Sequence, residues 1–155
     1  MEVHSNWYNN IAKEINLYQD TLDKKVSKKY KLDLLLRIAG RVDGFSGACG
    51  DCQLAQQDIT TLTKDLSYLL QMPNKNTRKS YFKTIDNIVK HLKKQHKLVT
   101  KGQYIGIYLA ISVGIGAALG VALDNAGIGP AIGTAIGLTI GSYMDKKAEK
   151  EGRVI

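Results

Sequence analysis

Two cysteines and two histidines carry the most pointed chemistry in this 155-residue chain. Cys49 and Cys52 stand in the run Gly47-Ala48-Cys49-Gly50-Asp51-Cys52, a CxxC that follows a crowd of glycines. His91 and His96 have four residues between them. Thiolate sulfur and imidazole nitrogen are ligands that zinc prefers, and C-x2-C with H-x3–5-H is among its usual pairings. Cys49, Cys52, His91 and His96 therefore form a candidate Cys2His2 zinc site. The long gap between the pairs departs from a short finger but is compatible with ligands that converge from two helices. Residues five apart on a regular helix point about 140° apart, so one histidine must sit where its helix bends or ends. Two further readings stay open. The CxxC can be a redox dithiol, since a helix N-terminus favours thiolate, although that motif usually sits in a βαβ setting. It can also be a pair of inert reduced thiols, with the histidines as ordinary surface bases. A cytoplasmic location weighs against a stable structural disulfide.

The elements that must position these residues read as helices. Ser5 suits an N-cap, and Trp7, Ile11, Ile15, Tyr18, Leu22 and Val26 recur at three- and four-residue steps. The lysine-rich stretch 24–31 is a polar seam with Ser27 as a new cap. Leu34, Leu35, Ile38 and Val42 make the next apolar stripe, which should fail across 40–47, where Gly40, Gly44 and Gly47 gather. A third helix over about 51–70 turns Ala55, Ile59, Leu62, Leu66 and Leu69 inward, and Met72-Pro73-Asn74 ends it. Thr77 starts a fourth, with Tyr81, Ile85, Ile88, Val89 and Leu92 inward. That helix leads through 97–101 as one long rod with a weak point at Gly102. No alternating strand pattern is present.

The last third of the chain changes character. Residues 104–123 are 20 residues without a charge. As a helix they span about 30 Å, the thickness of a bilayer's hydrocarbon core. Asp124, Asn125 and Gly127 interrupt the run, and Pro130 suits the first turn of a second helix. Residues 128–144 are 17 uncharged residues, the short end of the spanning range. Gly129, Gly133, Gly137 and Gly141 recur every fourth residue in this second run and form a ridge without side chains. The first run has a matching ridge (Gly102, Gly106, Ala110, Gly114, Ala118, Ala122) and a second small ridge (Ser112, Gly116, Gly120). Little hydrophobic force drives helices together in lipid, so close backbone approach must supply association. Two small faces on one helix provide for one partner within the hairpin and one on a neighbouring chain. The helix-packing set is accordingly Gly106, Gly114, Gly116, Gly120, Gly129, Gly133, Gly137 and Gly141.

The segment 105–155, with its GxxxGxxxGxxxG run and DKKAEKEGR tail, resembles the glycine-zipper hairpins of small bacterial integral membrane proteins. The resemblance implies a hairpin prone to homo-oligomerise and nothing catalytic. Glycine-zipper lipoproteins of the outer membrane differ: Met1 to Asn6 shows no apolar signal region and no lipid-accepting cysteine.

The expected fold is all-α: an N-terminal helical bundle followed by a two-helix transmembrane hairpin. Residues 1–101 form a cytoplasmic helical domain, 102–145 the hairpin and 146–155 a basic cytoplasmic tail. Residues 1–101 hold 18 Lys and Arg against 10 Asp and Glu, so this part carries the net +8 of the chain. Lys90, Lys93, Lys94, Lys97 and Lys101 precede the hairpin and Lys146 and Lys147 follow it, while the connecting loop has no Lys or Arg. The positive-inside rule then places both termini in the cytoplasm and the chain in the cytoplasmic (inner) membrane as a multi-pass protein. These lysines are the expected lipid contacts, at about 1 kcal/mol each near anionic headgroups. No basic groove with interleaved aromatics points to nucleic acid. No Ser/His/Asp set, paired carboxylates or phosphate loop points to an enzyme. Two functions fit: a membrane anchor or scaffold that self-associates or joins a membrane complex, and an oligomeric pore or small channel. The hairpin holds no intramembrane ionisable residue, which favours the anchor.

Overall fold

The computed structural model describes residues 5–72, 74–125 and 127–155. The chain divides into two compact units, residues 1–96 and 97–155. Among the described residues the structure is helical, apart from one isolated parallel bridge between Val99 and Val154.

Five helices build the first unit. The first, α1 (Asn6–Thr21), begins where the Ser5 hydroxyl accepts from the Tyr8 N–H at 3.3 Å. Its buried residues are Ile11 and Ile15, while Trp7 anchors an edge by donating its indole N–H to Thr60 Oγ1 at 3.0 Å. The polar seam is a helix of its own, α2 (Lys24–Lys29), and its cap is Asp23 rather than Ser27: Asp23 accepts from the Lys25 N–H at 2.6 Å. Asp23 lies directly before the lysines, and its short carboxylate reaches the orphan N–H groups first. Lys31, with φ of 54°, turns the chain into α3 (Leu32–Ser46).

Within the stretch 40–47, where failure is expected, α3 passes Gly40 and Gly44 and ends at Ser46, with Gly47 as its C-cap. A glycine costs a helix interior roughly 0.5–1 kcal/mol. Burial of Leu32, Leu35, Ile38, Ala39 and Val42 outweighs it, at about 1.5–3 kcal/mol for each large side chain. The next helix, α4 (Gly50–Gln71), buries Cys52, Ala55, Ile59, Leu62, Leu66 and Leu69. Its one buried hydroxyl, Thr63, donates to the Ile59 carbonyl at 2.8 Å. Met72 caps the end of α4, and Pro73 lies outside the described residues. The last helix of this unit, α5 (Lys75–Gln95), starts two residues before Thr77 because Asn74 accepts from the Asn76 N–H at 2.8 Å. It buries Tyr81, Ile85, Ile88 and Leu92. The Tyr81 hydroxyl donates to the Tyr30 carbonyl at 3.0 Å; burial, then the neighbouring Tyr30, raises its phenol pKa above the ordinary value. In this unit α3 packs against α1, α4 and α5.

The rod expected to continue from α5 through 97–101 is broken. The helix stops at Gln95, and Lys97 adopts φ of 55°.

In the second unit, α6 (Gln103–Ala122) and α7 (Ile128–Lys150) pack along each other in antiparallel register. Residues beyond α7 fold back on the segment before α6. The Val99 N–H donates to the Arg153 carbonyl at 2.8 Å, and the Ile155 N–H donates to the Val99 carbonyl at 2.9 Å. Leu98, Val99, Ala148 and Ile155 are buried around this clasp. Thus residues 146–150 are helix and residues 153–155 are held by hydrogen bonds.

Candidate metal centre and helix-packing face

The first unit brings all four expected metal ligands together. Cys49 is the N-cap residue of α4, in extended conformation, and Cys52 lies in that helix's first turn. The Cys52 N–H donates to the Cys49 carbonyl at 3.1 Å and fixes the turn. His91 sits on the last turns of α5. His96 is that helix's C-cap, with φ of −101° and ψ of 6°. The five-residue spacing, unfavourable on a regular helix, is thereby resolved: α5 ends one residue before His96, and the ring swings back beside His91.

Cys49 Sγ and Cys52 Sγ each lie 3.4 Å from His91 Nε2, and Cys52 Sγ lies 3.3 Å from His96 Nε2. The four ligand atoms are all within 4.8 Å of one another. A tetrahedral ion with metal–sulfur bonds of about 2.3 Å and metal–nitrogen bonds of about 2.0–2.1 Å sets its S···N edges at about 3.6 Å. The observed edges are close to that, and the group can hold a metal ion.

The surroundings suit such an ion. Burial, followed by the hydrogen bond and charge of Cys49 and by Asp51, pushes the Cys52 thiol up to about 12. Burial, followed by the charge of His91, lowers the His96 pKa. Without a cation Cys52 therefore favours the neutral thiol and His96 the neutral imidazole. A bound cation reverses the first preference and exploits the second, because metal ligands are thiolates and neutral imidazoles. The Asp51 carboxylate lies 3.6 Å from His91 Nδ1, on the ring face away from the sulfurs. At that distance it makes no hydrogen bond to the ring, but its negative charge favours a cation held beside His91. Phe45 stacks on His96, with ring centroids 3.9 Å apart and planes at 14°. Asp51 and Phe45 are the parts that sequence reasoning missed. Asp51 was visible inside the CxxC itself, whereas Phe45 becomes relevant only because α3 extends to Ser46.

The second site belongs to the second unit. Gly129, Gly133, Gly137 and Gly141 are all buried and face the α6 backbone. A Cβ on Gly137 would stand 2.7 Å from the Tyr108 carbonyl oxygen, and one on Gly141 would stand 2.5 Å from the Ile105 Cα. A Cβ on Gly129 or Gly133 would overlap the carbonyl oxygen of Gly116 or Ser112. On α6 the inward ridge is Ser112, Gly116 and Gly120, and both glycines are buried. Gly106 and Gly114 lie elsewhere: they are exposed, with open space where a Cβ would go. Ile132, Ile136 and Ile140 also stand exposed.

Asp145 of α7 closes the open end of this hairpin. Its carboxylate accepts from the Tyr104 and Ile105 N–H groups of α6, at 3.2 and 3.1 Å. The N-cap of α6 is Gly102, which has no side chain to do this. In the sequence Asp145 marks only the end of the uncharged run 128–144. Of the expected lipid contacts, Lys90 and Lys94 are exposed and Lys93 is half-buried on α5, whereas Lys97, Lys101, Lys146 and Lys147 are exposed in the second unit.

Among the described residues, α6 is the one helix long and apolar enough by itself to cross a membrane. Residues 99–147 match the model of a family described as glycine zipper membrane protein. No curated protein and no solved structure matches the chain. The family match and the apolar α6 together support a membrane location.

Proposed function

We propose that this protein is an integral membrane anchor: a two-pass hairpin that holds a helical, metal-centred domain at the cytoplasmic face of the inner membrane. The observation that carries the proposal is the glycine contact. Gly141 lies against Ile105, Gly137 against Leu109, Gly133 against Ser112 and Gly129 against Gly116. This register sets residues 128–144 alongside the apolar run of α6, so α7 crosses wherever α6 does, despite the charges at its end. The clasp of residue 99 with residues 153–155 keeps both ends of the hairpin on one side. Lys97, Lys101, Lys146 and Lys147 share that side and meet anionic headgroups, as the positive-inside rule requires.

The exposed ridge of Gly106, Ala110, Gly114 and Ala118 is free for a second copy or another membrane helix. An anchor fits the hairpin better than a pore. The Thr134 and Thr139 hydroxyls donate to carbonyls of their own helix, at 2.8 Å each, and form no polar lining. Alkaline carbonate washing tests the reading: the full-length chain is expected to stay in the membrane pellet. Proteolysis of sealed inner-membrane vesicles of either orientation is expected to cut residues 5–96 only from the cytoplasmic side. Release by carbonate overturns the anchor.

For the Cys2His2 group we assign zinc. Two thiolates and two imidazoles in a tetrahedral set suit that ion, and four protein ligands leave no open position for catalysis. A binuclear iron–sulfur cluster would spread its ligands over two irons, and a group confined within 4.8 Å does not fit one. Elemental analysis of the reduced protein is expected to give one zinc per chain.

A further inference from the structure

We infer that Cys49 and Cys52 make the metal centre sensitive to oxidation: a peroxide converts the pair to a disulfide and releases the zinc. This rests on the zinc assignment above. Both sulfur ligands come from a single turn, closed by the 3.1 Å hydrogen bond from the Cys52 N–H to the Cys49 carbonyl. The ends of such a turn lie within about 7 Å, the Cα range in which disulfides form. The two Sγ atoms are within 4.8 Å, so side-chain rotation can join them. Their exposure differs in a useful way. Cys49 is half-buried and Cys52 fully buried, so an oxidant meets Cys49 first and Cys52 stands behind it as the resolving thiol. The remaining ligands are both histidines. One disulfide therefore removes every anionic ligand at once, and two neutral imidazoles are left.

The chemistry balances. The Cys49 thiolate attacks one oxygen of hydrogen peroxide, the O–O bond breaks, and a sulfenic acid forms as hydroxide leaves. The Cys52 thiolate then attacks that sulfur, the S–S bond forms, and a second hydroxide leaves. The two sulfurs give up two electrons, peroxide accepts two, and zinc departs as the divalent ion. Its departure unties His96, the last residue of the first unit and the C-cap of α5. What remains at that end is the Phe45 stack, the edge-on contact with the His91 ring and the hydrogen bond from the His96 N–H to the Leu92 carbonyl.

The test uses the full-length protein in detergent. Zinc content is measured first; hydrogen peroxide is then added while a coloured chelator captures free zinc and remaining thiols are counted. The expected result is one zinc released for every two thiols lost, a mass lower by two hydrogens than the reduced metal-free chain, and zinc uptake restored by a thiol reductant. Retention of zinc, or its loss only with sulfinic or sulfonic acid that a reductant does not reverse, overturns the switch and leaves the zinc assignment standing. A reduced chain without zinc that also fails to take up cobalt(II) overturns both.

Discussion

In the first unit the enclosed groups are large side chains: Leu35, Ile38, Ile59, Leu66 and Leu92 have no exposed surface. In the hairpin the enclosed groups are glycines, while Ile115, Leu119, Ile132 and Ile136 point outward with about half their surface exposed. On the proposed reading the difference follows from the surroundings of each unit, water for the first and lipid for the hairpin. Water rewards removal of apolar surface, at about 25 cal/mol per Å², so side chains are driven inside. Lipid gives no such reward, and association there depends on how closely two backbones approach. A glycine therefore means different things in the two units. Gly44 and Gly47 have open space around them and do no packing, whereas Gly133 has the Ser112 carbonyl where its Cβ would be.

The largest effect expected from this contrast is that of Gly133→Leu. Its side chain would meet backbone, which has no rotamer to yield, so the helices must separate. The Tyr104 and Ile105 amides report the event, because Asp145 of the opposing helix accepts from both. Hydrogen exchange at these two amides should speed up by at least tenfold, while the first unit keeps its protection. Unchanged exchange would show that the glycine ridge does not hold the hairpin. The matching change in the first unit, Gly44→Ala, should raise stability slightly, by up to about 1 kcal/mol.

Next in size is metal removal, which separates the units in the opposite direction. A ligand that binds only the folded state adds about 3 kcal/mol when free at roughly 100 times its Kd. Chelation of the reduced protein should therefore lower the unfolding midpoint of the first unit by several degrees and leave Tyr104 and Ile105 exchange unaffected. An equal loss in both units would mean that the metal centre stabilises the hairpin as well.

A smaller effect is the pH dependence of the metal-free first unit. His96 has its pKa lowered below 6.5 by burial and by His91, so the folded state binds fewer protons there than the unfolded chain. Stability from that site is present above about 6.5 and is lost as pH falls through the lowered value. Cys52 is raised from 9.0 to about 12, so its contribution is complete below 9.0 and is lost as pH climbs towards 12. Denaturant unfolding of chelated protein should thus be most resistant between about pH 6.5 and 9. With zinc bound, the acid side should steepen, because protons then compete with the metal for thiolate and imidazole. Unfolding that ignores pH on both sides would mean that Cys52 and His96 are not desolvated in the fold.

Much of this was legible in the residues, for definite reasons. The apolar runs and the four-residue glycine period each follow from one repeating physical demand, and such demands appear as periods. The Cys2His2 set was legible because ligand chemistry restricts residue type. What sequence reasoning missed depends on where elements end. The end of α3 fell within the expected stretch 40–47, but which residue there stops it was a contest between glycine's cost and five buried neighbours, and only packing decides such contests. Asp145 capping α6 is a contact 40 residues distant in sequence. No local pattern marks it, because an aspartate that closes a neighbouring helix reads the same as one that ends its own. The division of the small residues of α6 into an inward face (Ser112, Gly116, Gly120) and an outward one (Gly106, Gly114) was likewise open. Both ridges have the same period, and the register against α7 selects between them.

That selection allows the finest test of the comparison, and the smallest effect on the fold. Gly114→Leu adds a large side chain to a helix in the same run as Gly116, two residues away. Open space lies where its Cβ goes, so the hairpin should remain closed, with a stability change within about 0.5 kcal/mol. Exchange at Tyr104 and Ile105 should stay at the unsubstituted rate. What should change is contact between copies: crosslinked dimers and larger species in native membranes should fall several-fold, because the outward ridge no longer admits a second backbone. Loss of amide protection instead would mean that Gly114 belongs to the inner face. An unaltered crosslinking pattern with an intact hairpin would mean that the outward ridge faces lipid and that copies meet through another surface.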